Sequence, residues 1–199
     1  MLLTLLDHIG VFVFAISGLS TAAEKRLDWF GGVVIAFITA LGGGTLRDLL
    51  LNTEIAWMHS ESLIYTALFG ALTGMLFLKR FKQWRRTFFL FDTIGISIYT
   101  IVGLQKGLSF GHFPIVAVFL GVISATFGGV IRDVLCNEIP LIFRKEFYAT
   151  ACLAGGFVYI GLIKWGQLDE SVAFISCILL IFFVRILAVI LKWQMPLIK

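Results

Sequence analysis

Charge is scarce in this chain. Asp, Glu, Lys and Arg make up 14% of its 199 residues, against roughly 25% in water-soluble domains. With 59% hydrophobic residues and a mean hydropathy of +0.99, an ordinary soluble domain is excluded. Polar linkers are lacking as well. No Pro- or Ser-rich stretch divides residues 1–199, so the whole chain is expected to form a single transmembrane domain. Cysteine is limited to Cys136, Cys152 and Cys177, all in or beside apolar segments. An odd number so placed argues against a disulfide framework and for buried free thiols. Enzyme signatures are missing too. His8, His59 and His112 are scattered without metal-ligand spacing, and neither a nucleophile elbow nor a phosphate loop occurs in a credible context. The chain therefore reads as a non-enzyme with no cofactor. Its net charge of +4 is too small and too confined to loops for nucleic acid, and carries topology instead.

What the chain does have is apolar runs. A membrane span needs about 20 mainly apolar residues. Seven candidates fall at roughly 3–23, 30–51, 62–78, 88–106, 113–135, 147–164 and 171–192. Unbroken runs predict an all-α, polytopic bundle, because barrel strands would alternate in polarity. The first run is read as a retained helix rather than a leader, since no basic segment precedes it. Basic residues gather at Lys25 and Arg26, at Lys79, Arg80, Lys82, Arg85 and Arg86, at Arg144 and Lys145, and at Lys192 and Lys199. In a seven-span arrangement all four places share one side, and the other side has little beyond Lys106 and Lys164. The N-terminus is then outside and the C-terminus cytoplasmic. Arg185, in the last span, is expected to snorkel toward that cytoplasmic interface, a subunit contact being the other reading.

One passage occurs twice. Gly43-Gly44-Thr45-Leu46-Arg47-Asp48-Leu49-Leu50-Leu51-Asn52 returns 85 positions later as Gly128-Gly129-Val130-Ile131-Arg132-Asp133-Val134-Leu135-Cys136-Asn137. The same offset carries Asp7, Gly10 and Gly18 onto Asp92, Gly95 and Gly103. Spans 1–3 (about 3–78) thus match spans 4–6 (about 88–164), and a seventh (about 171–192) is added. Three spans per unit force the copies into opposite orientations, an inverted repeat of the kind that builds transport sites. The third-span match is weaker, with Tyr65 meeting Tyr148 only after a small register shift.

Gly42-Gly43-Gly44 and Gly128-Gly129 lie inside spans 2 and 5. Each glycine costs up to about 1 kcal/mol against alanine in a helix, so these points are expected to kink or unwind. Close helix packing is the competing reading. Arg47-Asp48 and Arg132-Asp133 follow. A charge at mid-bilayer costs at least about 2.5–3.5 kcal/mol and normally pairs inside the bundle. Successive helical residues point about 100° apart, so neither Arg-Asp pair is expected simply to neutralise itself. Asp7 is expected to approach Arg47, and Asp92 to approach Arg132. These residues either clip each repeat together or line an ion path, and both readings stay open. Ser17, Thr39, Ser124 and other hydroxyls near the breaks are expected to bond their own helices. Gly70-Ala71-Leu72-Thr73-Gly74 fits close helix packing.

At these residues the chain resembles the prokaryotic trimeric intracellular cation (TRIC) channels, whose domain also goes under a glycine-transporter-like label (UPF0126). The motifs are Gly42-Gly43-Gly44-Thr45-Leu46-Arg47-Asp48 and Phe127-Gly128-Gly129-Val130-Ile131-Arg132-Asp133, and the resemblance spans nearly the whole chain. It implies a homotrimer in a prokaryotic plasma membrane, with a pore in each subunit passing monovalent cations, chiefly K⁺ and Na⁺. Spans 2 and 5 would frame that pore, with Gly42, Gly43, Gly44, Thr45, Phe127, Gly128 and Gly129 near its constriction. Lipid would be the surrounding partner. Animal relatives carry a lysine motif tied to phosphoinositide binding where Arg-Asp stands here, so that regulation does not carry over. A secondary transporter of a small solute such as glycine, rocking its two repeats, is the alternative.

Overall fold

The structure, a computed structural model, describes residues 2–78, 84–166 and 168–196. Seven helices account for most of them: α1 (Leu2–Glu24), α2 (Trp29–Leu50), α3 (Glu61–Leu78), α4 (Trp84–Ser109), α5 (Pro114–Leu135), α6 (Ala149–Lys164) and α7 (Glu170–Ile190). All seven expected spans are present, with ends shifted by a few residues. Five of them are long and apolar enough to cross a membrane, whereas α3 and α6 are shorter apolar helices. At 1.5 Å per residue the 16 residues of α6 reach about 24 Å, less than a hydrocarbon core of about 30 Å. Large apolar side chains such as Trp29, Phe30, Phe69, Phe119 and Phe183 are exposed on the outside. That surface suits lipid, and the protein is an integral membrane protein.

The two inverted repeats dock through α1 against α4 and α2 against α5, and α7 packs on α6 and α4. Small residues set these crossings, and they do so in symmetric pairs. A Cβ on Gly10 would strike the Tyr99 ring, and one on Gly95 would strike the Phe14 ring. Those two aromatics sit 5.5 Å apart at the centre of the bundle. Within each repeat Gly18 meets Thr39, as Gly103 meets Ser124. In the third helices Gly74 meets Leu19 and Gly156 meets Leu104. The leucines are 85 apart and the glycines 82, which locates the shift in register. Gly70 lies against the Phe12 carbonyl, as the small-residue pattern predicts, and all three cysteines are buried free thiols.

The repeated asparagines have a structural meaning that sequence reasoning missed. Asn52 and Asn137 follow α2 and α5 in left-handed conformation, at φ 51° and 55°. Asparagine tolerates that region at helix ends. The chain then turns back in matching short 3₁₀ turns, Ala56–Met58 and Leu141–Phe143.

Basic loops converge at one end. Lys25 pairs with Glu138, which joins the α1–α2 loop to the α5–α6 loop. The Met195 amide donates to the Lys145 carbonyl at 2.8 Å, bringing the segment after α7 to the same place. Lys79, Arg80, Lys82 and Lys199 lie outside the described residues, as do the side chains of Arg85 and Arg86.

Candidate functional site

The centre of the molecule is the crossing of α2 and α5. A Cβ on Gly43 would collide with the Ser124 carbonyl oxygen, and a Cβ on Gly128 with the Thr39 carbonyl oxygen. These contacts are images of each other, because Ser124 and Gly128 follow Thr39 and Gly43 by 85 positions. Only a glycine Cα–H fits against a carbonyl at that range. The helices do not unwind there: α2 runs as one helix through Gly42–Gly44, and α5 through Phe127–Gly129. In hydrocarbon a broken backbone hydrogen bond costs several kcal/mol, more than the helix penalty of a few glycines, so the ladder persists. Gly42 comes within 3.3 Å of Ile131 Cδ1, whereas Gly44 meets nothing closer than Arg47 Nη2 at 3.7 Å. Phe127, in the place equivalent to Gly42, is half-buried.

Arg47 and Arg132 lie one turn beyond the glycines. Contrary to expectation, each bonds the aspartate beside it: Arg47 Nε donates to Asp48 Oδ1 at 2.8 Å, and Arg132 Nε to Asp133 Oδ1 at 2.8 Å. The 100° step separates Cβ vectors, but the arginine arm is long enough to fold back. Each guanidinium also reaches into the other repeat, from Arg47 Nη1 to Ser124 at 3.2 Å and from Arg132 Nη1 to Ser17 at 3.1 Å. Those two serines therefore face partners, while Thr39 bonds its own helix at Ile35. The second carboxylate oxygens do matching work. Asp48 Oδ2 accepts from the Ala56 amide and Asp133 Oδ2 from the Leu141 amide, both at 3.1 Å. Each aspartate thus holds the 3₁₀ turn that leads into the third helix. Thr45 accepts from Trp57 Nε1 at 2.9 Å, bracing the first turn further.

The halves differ in what surrounds this core. Asp92 pairs with Arg132 at 3.0 Å as expected. Asp7 lines a small cavity with Arg47, Tyr99 and Gly44, but Arg47 takes Asp48 as its salt-bridge partner. Asp48 accepts a further bond, from Lys106 Nζ at 2.8 Å, which no sequence signal marked. Arg185 does not snorkel. It is 1% exposed, donates to the Phe147 carbonyl at 2.8 Å, and lies over the rings of Phe89 and Tyr148 at 5.1 and 4.9 Å. The aromatic faces and carbonyl of α4 and the α6 entry compete successfully with the interface for its charge.

Two cavities approach the crossing from opposite ends. One, of about 630 Å³, is lined by Asp7, Arg47, Gln105, Lys106 and Glu170 among others. The other, of about 310 Å³, opens at the basic end beside Lys25, Asp133, Glu138, Arg144, Glu146 and Arg185. Among the described residues none lines both. Between them stand the α2–α5 crossing and the two arginines. At the basic end Glu138 also receives Arg144, at 2.9 Å. The hydrogen bond and charge of Lys25, with Arg144 behind, hold its carboxyl below the usual range.

Comparison with known proteins agrees with this architecture. The family described as Glycine transporter matches residues 4–79 and again 89–164, one match per repeat. A UPF0126 membrane protein of Vibrio cholerae is 34% identical over 98% of this chain and 82% of its own length. The UPF0126 inner membrane protein YadS of Escherichia coli is 37% identical over 80% of this chain and 78% of its own length. Among solved structures, a trimeric intracellular cation channel orthologue from Rhodobacter sphaeroides superposes with a TM-score of 0.91 at 31% identity, covering 96% of this chain and 98% of that one. A second structure, described in terms of conductance through TRIC cation channels, gives 0.88 at 36% identity, over 100% and 98%. The chain belongs to the glycine-transporter-like (UPF0126) family, that of the prokaryotic trimeric intracellular cation channels.

Proposed function

We propose that this protein is a cation channel of a prokaryotic plasma membrane, passing K⁺ and Na⁺ through a pore inside each subunit of a homotrimer. The observation that carries the reading is the pair of cavities converging on the α2–α5 crossing, in a chain 31–36% identical to solved TRIC channels over nearly its full length. The glycine crossing serves as the constriction, and α2 and α5 must part there for an ion to pass. Arg47 and Arg132 do not bar cations, because Asp48, Asp92 and Asp133 neutralise them. The basic loops support a cytoplasmic position for their own end of the bundle, with the N-terminus outside.

The test is a planar-bilayer recording of purified protein under asymmetric KCl. Stepwise unitary currents reversing near the K⁺ potential are expected. Smooth saturable flux without unitary events would refute the channel and favour the second reading, a secondary transporter of a small solute such as glycine. That alternative draws on the two cavities having no described lining residue in common, as alternating access requires.

A further inference from the structure

The helices α2 and α5 present the same outward face at opposite ends of the bundle. Phe30, in the first turn of α2, is 78% exposed, and Phe113, the N-cap of α5, is 79% exposed. At the far ends Leu49 and its counterpart Val134 are each 60% exposed, and Leu50 and Leu135 match as closely. This face is continuous with the lipid-facing surface of the bundle. Phe30 also stands four residues after Arg26 of a basic loop. Aromatic side chains beside such loops favour the membrane–water interface.

The spacing of these residues from the crossing fits a bilayer. Phe30 precedes Gly43 by 13 residues, and Phe113 precedes Gly128 by 15. At 1.5 Å per residue the two arms reach about 20 and 22 Å. The axis relating inverted repeats lies in the membrane plane, so the α2–α5 crossing sits at mid-depth and one arm rises to each surface. At a common helix inclination of about 20° the arms climb about 19 and 21 Å. That passes the half-core of about 15 Å and ends in the interfacial zone at about 15–22 Å. Phe30 and Phe113 thus fall in opposite interfaces. Leu50 and Leu135, seven residues beyond the glycines, reach only about 10 Å and stay in hydrocarbon, which suits exposed apolar side chains.

Arms of fixed length with their ends held at two surfaces can respond to membrane thickness only by leaning. Thinning by about 3 Å takes their inclination from about 20° to about 30°. The two helices lean opposite ways, so the angle between them widens by up to about 20°. Their shared contact is narrow, with Gly43 against the Ser124 carbonyl and Gly128 against the Thr39 carbonyl. Thr39 and Gly43 are about 6 Å apart along α2, so a turn of that size shifts each contact sideways by about 1 Å. Each carbonyl is then unseated from its glycine, and the constriction loosens.

We propose, resting on the channel reading, that Phe30 and Phe113 anchor α2 and α5 in the two opposite membrane interfaces, so that bilayer thickness sets the crossing angle and with it the opening of the constriction. The partner is the lipid bilayer itself, read as the distance between its two interfaces.

The test records unitary currents of wild type, Phe30→Ser, Phe113→Ser, the double variant and Leu76→Ser. The bilayers are monounsaturated phosphatidylcholines with short (myristoleoyl), ordinary (oleoyl) or long (erucoyl) chains. Wild-type open probability is expected to rise about tenfold from the longest chain to the shortest. Each single replacement should shrink that rise, and the double replacement should flatten it. Should the double variant not reconstitute, the two single variants decide. Leu76 is exposed to the same lipid from α3, and Leu76→Ser should keep the full rise. Wild-type channels indifferent to chain length, channels that open more in thick bilayers, or a rise undiminished by the Phe30 and Phe113 replacements would overturn the anchors and leave the channel reading standing. In the last case a weakened oligomer in size-exclusion chromatography would assign the two phenylalanines to contact with a second copy. A wild type without unitary currents in any bilayer would overturn both.

Discussion

Replacing the glycines one at a time separates close approach from flexibility. At Gly43 an alanine Cβ would collide with the Ser124 carbonyl oxygen and lie 3.1 Å from its carbon and 3.3 Å from the Gly128 amide nitrogen. Every one of these is backbone, so no side chain can swing aside and α2 and α5 must separate. Overpacking of this kind costs about 1–3 kcal/mol. At about 2–4 °C per kcal/mol for a chain this long, melting should fall by roughly 2–12 °C. Gly128→Ala meets the Thr39 carbonyl in the same way and should match it. Gly42→Ala meets Ile131 Cδ1 at 3.3 Å, the far end of a movable side chain, and should lose less. Gly44→Ala meets only Arg47 Nη2 and Tyr99 Cε1, at 3.7 and 3.9 Å. Those are ordinary contacts, and alanine is the better helix former by up to about 1 kcal/mol, so melting should hold or rise slightly. The assay is thermal denaturation of detergent-solubilised protein followed by size-exclusion chromatography. Equal losses at Gly43 and Gly44 would refute the packing argument, since a hinge needs flexibility at every glycine while a crossing needs space at only some.

The remaining predictions concern charge. Asp92→Ala leaves a fully buried Arg132 with only Asp133 to balance it among the described residues, and should lower stability by about 1.5–3 kcal/mol, seen as lost expression or early melting. Asp7→Ala, at a partly exposed residue with no ion pair among the described residues, should cost well under half as much by the same measurement. Lys106→Met leaves Asp48 its bonds to Arg47 and the Ala56 amide, so stability should change by about 1 kcal/mol or less, while current carried by cations entering the larger cavity should rise. The lowered pKa of Glu138 stabilises the folded state above the ordinary glutamate range, and that contribution is lost as pH falls through the folded value. Wild type should therefore melt above Glu138→Gln at neutral pH, and the two curves should converge in acid. A difference that persists at low pH would show that Lys25–Glu138 is not its source.

Seven helices, the doubled three-helix unit and the basic end were legible in the sequence, because hydropathy, self-similarity and loop charge are properties of short segments. The pairing of Asp92 with Arg132 was legible too, since antiparallel neighbours within a repeat place those positions at one depth. Other features depended on what each side chain meets across the bundle. Arg47 chose Asp48 over Asp7 because its arm folds back further than a helical wheel allows, and because Ser124 of the other repeat anchors its far nitrogen. Arg185 was buried by aromatic faces from α4 and the α6 entry, elements distant from it in sequence. The glycines looked like breaks in one dimension, and in three Gly43 and Gly128 are points of contact between α2 and α5. Sequence by itself determined where the chain crosses the membrane and that it does so in two opposed copies. Only the tertiary structure decided that Asp92 is fully buried while its counterpart Asp7 stays partly exposed, because that depends on how closely two symmetric surfaces are pressed against unsymmetric neighbours.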